Sequence, residues 1–139
     1  MSVESFLDTN VLVYAATGRD ARESKRKRAL ELIEGENFGL SAQVLQEFYV
    51  TVVHKAAITL TPAQALEWIE QLEAFPCLPV DAALVKIAAE SSERHRLAYW
   101  DAAILAAAEI LGARTVYSED LNHGQLYGAV RVCNPFRPG

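Results

Sequence analysis

The stretch SFLDTNVLVYAA, residues 5–16, decides how this chain is read. It closes one short apolar run on a carboxylate, Asp8, and opens a second at Val11. Residues 3–7 have the length and hydrophobicity of a short buried strand. A carboxylate at the tip of such a strand is costly to take out of water unless something compensates it. Asp8 is therefore either a turn residue, bonding backbone N–H groups near Asn10, or part of a binding site.

Working outward, short apolar strands alternate with helices. Residues 20–35 read as a helix with Asp20 at its start and Gly35 at its end, followed by a strand at 38–40. Ser41 is placed to cap a helix over 42–56, whose apolar face is Val44, Leu45, Phe48, Tyr49, Val52 and Val53. The next helix, 60–75, has the clearest start in the chain: Thr61 as cap, Pro62 in the first turn and Gln64 completing a capping box. A short strand at 77–80 leads to Asp81, the cap of a helix running to about Glu93. Residues 99–113 form a helix closed by Gly112; it is apolar nearly all round and should be buried. A strand over 114–120 ends in acid, 122–128 is turn-like, and 130–136 is a closing strand. The alternation predicts an α/β fold, a mostly parallel sheet of short strands with helices on both faces. No linker divides residues 1–139, so one domain is expected. Ligands of open α/β sheets bind beyond the carboxyl ends of the strands, where Asp8 and Asp120 should share an edge.

Composition narrows the function. The 139 residues suit a single domain with a sizeable core. Thirteen Lys and Arg against eighteen Asp and Glu leave a net charge of −5, which argues against nucleic-acid binding unless the acids hold cations. The N-terminus MSVESFLD has neither a basic segment nor a long apolar one. The longest apolar run, DAAILAAAEILGA, is interrupted by Asp101 and Glu109 and is too short to span a bilayer. A soluble, cytoplasmic protein without membrane attachment is expected. Cys77 and Cys133 match no metal spacing and read as free thiols. His54, His95 and His123 are remote in sequence from them, which argues against zinc.

Four carboxylates stand out, each with a plain structural alternative. Asp8 has the turn reading above. Glu47 sits mid-helix within VLQEFYV, on the face of Gln43, Val50, Thr51 and His54; its alternative is a solvated flank. Asp101, in the first turn of an apolar helix, is where the helix dipole favours an acid anyway. Asp120 adjoins Glu119 at a strand-to-turn junction, which leaves open which of the two matters. Jointly they say more. Carboxylates brought to about 4 Å repel by about 4 kcal/mol per pair at an effective dielectric of about 20. A cluster of three or four calls for a cation, and all-oxygen ligands suit Mg²⁺ or Mn²⁺.

The blocks LDTNVLVY (7–14), SAQVLQEFY (41–49), YWDAAILAAA (99–108) and SEDLNHGQ (118–125) together resemble PIN-domain ribonucleases, in particular the VapC-type toxins of toxin–antitoxin pairs. The resemblance spans nearly the whole chain in order and spacing, with no motif between 50 and 98. It implies a three-layer α/β/α fold and an acidic quartet at Asp8, Glu47, Asp101 and Asp120. It further implies magnesium-dependent RNA cleavage, a homodimer and a cognate antitoxin. On this reading all four acids are catalytic and hold Mg²⁺, for which Mn²⁺ substitutes, while Thr9, Asn10 and Ser118 orient them.

Other features have competing uses. The basic stretch RESKRKR supplies Arg22, Lys25, Arg26, Lys27 and Arg28 as RNA-phosphate contacts or as a solvated helix face. Trp68, Trp100, Phe48 and Tyr49 read as core or interface, His54 and His123 as satisfied polar groups. Surplus apolar helix surface fits a dimer or an antitoxin groove. Two other functions compete. One is a PIN-like module that binds nucleic acid or protein without cutting. The other is a receiver-type phospho-acceptor domain, which lacks here an acidic pair after the first strand, an Asp after FGLS and any Lys after Lys86.

Overall fold

The computed structural model describes residues 2–137. Strand β1 (Ser5–Leu7) is buried throughout. The second apolar run, to which the sequence assigns no element, is helix α1 (Thr9–Thr17). Its buried residues Val11, Leu12, Ala15 and Ala16 recur at helical spacing. Asp8 is its N-cap, in extended conformation, accepting the Thr9 N–H at 2.7 Å. One residue thus ends a strand, starts a helix and, as shown below, belongs to an acidic group.

Helix α2 (Glu23–Gly35) follows a separate 3₁₀ turn, Asp20–Arg22. Asp20 does not cap it: its φ of 54° is left-handed, whereas a capping residue needs an extended backbone. Strand β2 (Phe38–Ser41) ends on Ser41, whose hydroxyl accepts the Val44 N–H at 3.3 Å and starts α3 (Ala42–Val50). The helix expected to continue to 56 changes to a π-helical turn over Thr51–Lys55. Helix α4 (Pro62–Leu72) carries the predicted Thr61–Gln64 capping box, both bonds formed. Strand β3 is only Cys77–Leu78. Asp81 caps α5 (Ala82–His95), and α6 (Tyr99–Ile110) follows. Residues 102–108 of α6 are all buried, as its all-round apolarity predicts. Gly112 ends that segment at φ 82°, and a Cβ there would stand 2.7 Å from Ser2 Cβ.

Strand β4 (Thr115–Tyr117) precedes a correction. Part of the turn-like stretch 122–128 is strand β5 (Leu126–Tyr127), antiparallel to β6 (Val130–Cys133). Tyr127 pairs with Val130, so the hairpin turns on Gly128 and Ala129, and Gly128 takes the positive φ, 59°, that such tight turns require. The sheet order is β3-β2-β1-β4-β6-β5, and all pairings except β5–β6 are parallel. Helix α6 packs on β2, β4 and β6 with α5 outside it, while α1, α2 and α3 pack together and α3 meets β2. The expected layering of helices about a central, mostly parallel sheet is present. Phe6, Leu7, Phe38, Leu40, Val116 and Val132 fill the core between the layers. Among the described residues no helix is long and apolar enough to cross a membrane. Cys77 and Cys133 are free thiols.

Candidate active site

Parallel pairing of β1 with β4 sets Leu7 opposite Tyr117. The residues that follow, Asp8 on one side and Ser118 to Asp120 on the other, therefore emerge at the same sheet edge. The Asp8 N–H donates to the Tyr117 carbonyl at 3.1 Å, and the Ser118 hydroxyl donates to Asp8 Oδ2 at 2.7 Å. Asp8 is only 7 % exposed. Burial, only partly offset by the Ser118 and Thr9 bonds and reinforced by the charges of Asp120 and Glu47, raises its pKa from 3.8 to about 6.

Glu47 projects from α3 onto the same group. Its Oε1 accepts the Thr9 hydroxyl at 2.8 Å and its Oε2 the Gln43 amide at 3.4 Å. Gln43, buried, also donates to the Trp100 carbonyl at 3.2 Å, which ties α3 to the start of α6. There Asp101 is held above the usual carboxylate range by burial and by the charges of Asp120 and Glu47. Asp120 Oδ2 accepts the Asn10 amide at 3.1 Å. Asn10 also accepts the Glu119 N–H through Oδ1, and its amide reaches the Ser118 hydroxyl at 3.4 Å. Thr9, Asn10 and Ser118 thus each bond at least one of the acids.

The four acids share one electrostatic neighbourhood, but they do not close into a compact cluster. Among the described residues no group of three or more His, Cys, Asp and Glu side chains is set as a metal site. Shared donors link the acids: Thr9 bonds both Asp8 and Glu47, and the Ser118 hydroxyl bonds Asp8 while accepting the Asp120 N–H. The donor set is nonetheless all oxygen, and burial, with the neighbouring charges of Asp120 and Glu47 adding to it, disfavours the bare charge of Asp8 and Asp101. Both facts suit a hard divalent cation.

Glu119 is turned to a different task. Its Oε1 accepts the Tyr14 hydroxyl and its Oε2 the Lys25 ammonium, both at 2.6 Å. Those bonds hold its pKa below normal despite burial, which acts to raise it. Lys25 also lies 4.8 Å from the centre of the Tyr14 ring. Asp120, not Glu119, faces the acids. Lys25 is therefore held by this clamp, though its side chain stays partly exposed. Arg26 pairs with Glu23 and Arg28 with Glu31 along α2, and Lys27 is exposed on the helix surface. Of the basic stretch only Arg22 lines the cleft.

That cleft, about 870 Å³, is lined among others by Thr9, Asn10, Gln43, Glu47, Trp100 and Asp120. Asp8 and Asp101 stand just outside its lining. Lys55, on the π-helical turn, is a lining residue with no marker in the sequence. The aromatic residues divide. Phe48 is buried and Trp68 packs against it at 6.2 Å, whereas Trp100 is 64 % exposed and is not core. His123 accepts the Asn134 N–H at 2.9 Å, a satisfied polar group.

The fold and this edge define a PIN domain. The family model for the PIN domain matches residues 5–128, and the chain belongs to that family. Its structure is similar to that of VapC20 from Mycobacterium tuberculosis, described as a sarcin–ricin-loop-cleaving toxin, with 22 % identity and a TM-score of 0.67 over 84 % of this chain and 90 % of that one. A toxin–antitoxin complex from Klebsiella pneumoniae contains a chain 17 % identical, TM-score 0.71, matched over 97 % of this chain and 100 % of that one. VapBC2 from Rickettsia felis, bound to a DNA fragment from its promoter, gives 19 % identity and a TM-score of 0.60 over 92 % and 96 %. No curated protein sequence matches the chain significantly.

Proposed function

We propose that this chain is a metal-dependent endoribonuclease, the toxin of a type II toxin–antitoxin pair. One observation carries the reading: at the edge where β1 and β4 end, Thr9 bonds both Asp8 and Glu47, Asn10 bonds Asp120, and the charges of Glu47 and Asp120 add to burial in raising Asp8 and Asp101. Such a group repels an RNA phosphate unless a cation lies between. Family membership and the toxins among the structural relatives support the same activity.

Asp8, Glu47, Asp101 and Asp120 are the residues to hold Mg²⁺ or Mn²⁺. When bound, the cation supplies positive charge for the phosphate and makes a water acidic enough to attack phosphorus at neutral pH. The chain's own groups prepare that chemistry. Thr9 N–H and the Ser118 hydroxyl fix both oxygens of Asp8, leaving lone pairs on each for a further partner. The Thr9 hydroxyl orients Glu47, and Asn10 fixes Asp120. Hydrolysis adds water across the P–O3′ bond, leaving a 5′-phosphate and a 3′-hydroxyl. The 2′-hydroxyl takes no part, so a single 2′-deoxy sugar at the cut leaves the substrate cleavable.

The partners follow from the same reading: RNA as substrate, a cognate antitoxin, a second copy of the chain, and the cytoplasm as site of action. Exposed apolar side chains support protein partners. Ile58 and Leu66 lie on and near α4, and Val85 and Ile87 on α5.

The test is a cleavage assay with purified protein and RNA, with Mg²⁺ or Mn²⁺ and with EDTA, followed by end mapping. Expected are cuts with 5′-phosphate ends that vanish with chelator and in Asp8→Asn. No cutting under any divalent ion supports the alternative, a silent PIN-like binding module. Complete resistance of the 2′-deoxy substrate overturns the water mechanism.

A further inference from the structure

A cation and its ligands leave much of the cleft without a use. At about 870 Å³ it lies near the top of the range for organic ligand pockets, roughly 300–1,000 Å³. One part of its wall is apolar, formed by Val13, Val50 and the ring of Trp100. Trp100 is the most exposed large apolar side chain among the described residues. Its backbone is held: the Trp100 carbonyl accepts the Gln43 amide at 3.2 Å, and Gln43 in turn bonds Glu47, which registers the start of α6 to the acids. The Tyr99 ring meets the indole edge-on at 5.0 Å, and Asp101 is the next residue in sequence. Arg22 and Lys55 line the same cleft, and neither belongs to a salt bridge among the described residues.

An exposed indole beside cations and a group of acids is the arrangement that binds unpaired bases: the ring stacks on the base while cations follow the backbone. A protein contact would instead centre on a ring of apolar neighbours. Here Trp100 has polar Gln43, Glu47 and Asp101 beside it as well as Val13 and Val50 in the same cleft wall. The exposed Ile110 at the far end of α6 lies ten residues on, roughly 15 Å by helical rise.

We infer that Trp100 is a stacking platform for an unpaired nucleobase of the RNA, next to the scissile phosphate, with Arg22 and Lys55 contacting flanking phosphates. This rests on the ribonuclease reading and adds a positioning contact to it: one base splayed onto the indole beside the cut.

The chain has two tryptophans, so Trp68→Phe leaves Trp100 as the sole emitter. Titrating that protein with a single-stranded oligoribonucleotide in Ca²⁺, which supplies the cation between the acids and the phosphate, should quench its fluorescence saturably. In Mg²⁺, Trp100→Ala should lose about 10-fold in kcat/KM, mostly through KM, while Trp100→Phe stays within about threefold. An abasic site scanned along the oligomer should cost the parent protein about 10-fold at one position and cost Trp100→Ala nothing further there. Absence of quenching, wild-type kcat/KM in Trp100→Ala, or equal losses at every abasic position overturns the inference. Conversion of a dimer to a monomer by Trp100→Ala does so too, assigning the ring to a protein contact. If the parent protein cuts no RNA, the ribonuclease reading fails separately, and the Ca²⁺ titration still decides the stacking.

Discussion

Replacing Asp8 by asparagine separates its cost to the fold from its use in the site. In the metal-free protein Asp8 has a pKa of about 6 against an ordinary 3.8. Below 3.8 the folded and unfolded chains both carry the proton and there is no penalty. Between 3.8 and about 6 the fold keeps a proton that the unfolded chain releases, so stability falls as pH rises. Above about 6 the full penalty applies: about two pKa units, or about 3 kcal/mol. The asparagine side chain would escape it, at a cost. The Ser118 hydroxyl donates to Asp8 Oδ2 while its own oxygen already meets the Asp120 N–H and the Asn10 amide. An amide NH₂ facing it leaves that hydroxyl proton unmatched, a loss of about 1 kcal/mol. In EDTA at pH 7.5, Asp8→Asn should therefore be about 2 kcal/mol more stable than wild type, or roughly 6 °C in Tm. The two stability curves should cross near pH 4.5, where the ionisation penalty has shrunk to about 1 kcal/mol. Thermal or urea unfolding across pH 4–8 measures this. A variant less stable than wild type at pH 7.5, or a difference that ignores pH, refutes the burial argument. Loss of RNA cleavage in the same, more stable protein assigns Asp8 to the chemistry.

Lys25→Met or Glu119→Gln should cost only about 1 kcal/mol, because the pair retains access to water; denaturant titration measures it, and cleavage should fall through kcat as the Asp120 turn loosens, with KM little changed. Arg22→Glu should weaken RNA binding and reduce its salt slope by about 1, whereas Lys27→Glu on the outer face of α2 should change neither; binding isotherms at several salt concentrations decide. Asn10→Ala should leave Asp120 without its amide donor and cut kcat by at least about 10-fold, with circular dichroism showing the fold intact. Gly112→Ala should destabilise the chain by about 1–2 kcal/mol in urea titration, since φ is 82° and the new methyl meets Ser2.

Much of the architecture was legible in local signals. The caps at Ser41, Thr61 and Asp81 all form as the residue types require, because a cap is a contact within one turn. The buried run of α6 follows from its lack of any polar face. Legibility failed where a residue answered to two elements or to none nearby. Helix α1 was hidden because Asp8 reads equally as a strand end and as a turn, though its i, i+1, i+4, i+5 apolar spacing was there to be counted. Asp20 has the side chain of a cap, but the chain passes it with a left-handed backbone. Strand β5 is two residues long and exists only through pairing with β6.

The sequence by itself determined the parallel α/β class and most of the strands and helices, since these rest on periodicity, residue type and spacing along the chain, and it singled out the four acids as candidates. Tertiary structure alone decided which acid of the Glu119–Asp120 pair faces the cleft, that Lys25 is spent on Tyr14 and Glu119, and that Trp100 stands in solvent instead of in the core. It also decided that the acids share a neighbourhood without collapsing together. Those outcomes depend on contacts between residues 94 to 110 positions apart. Their energies arise from through-space charge and burial, which no local pattern records.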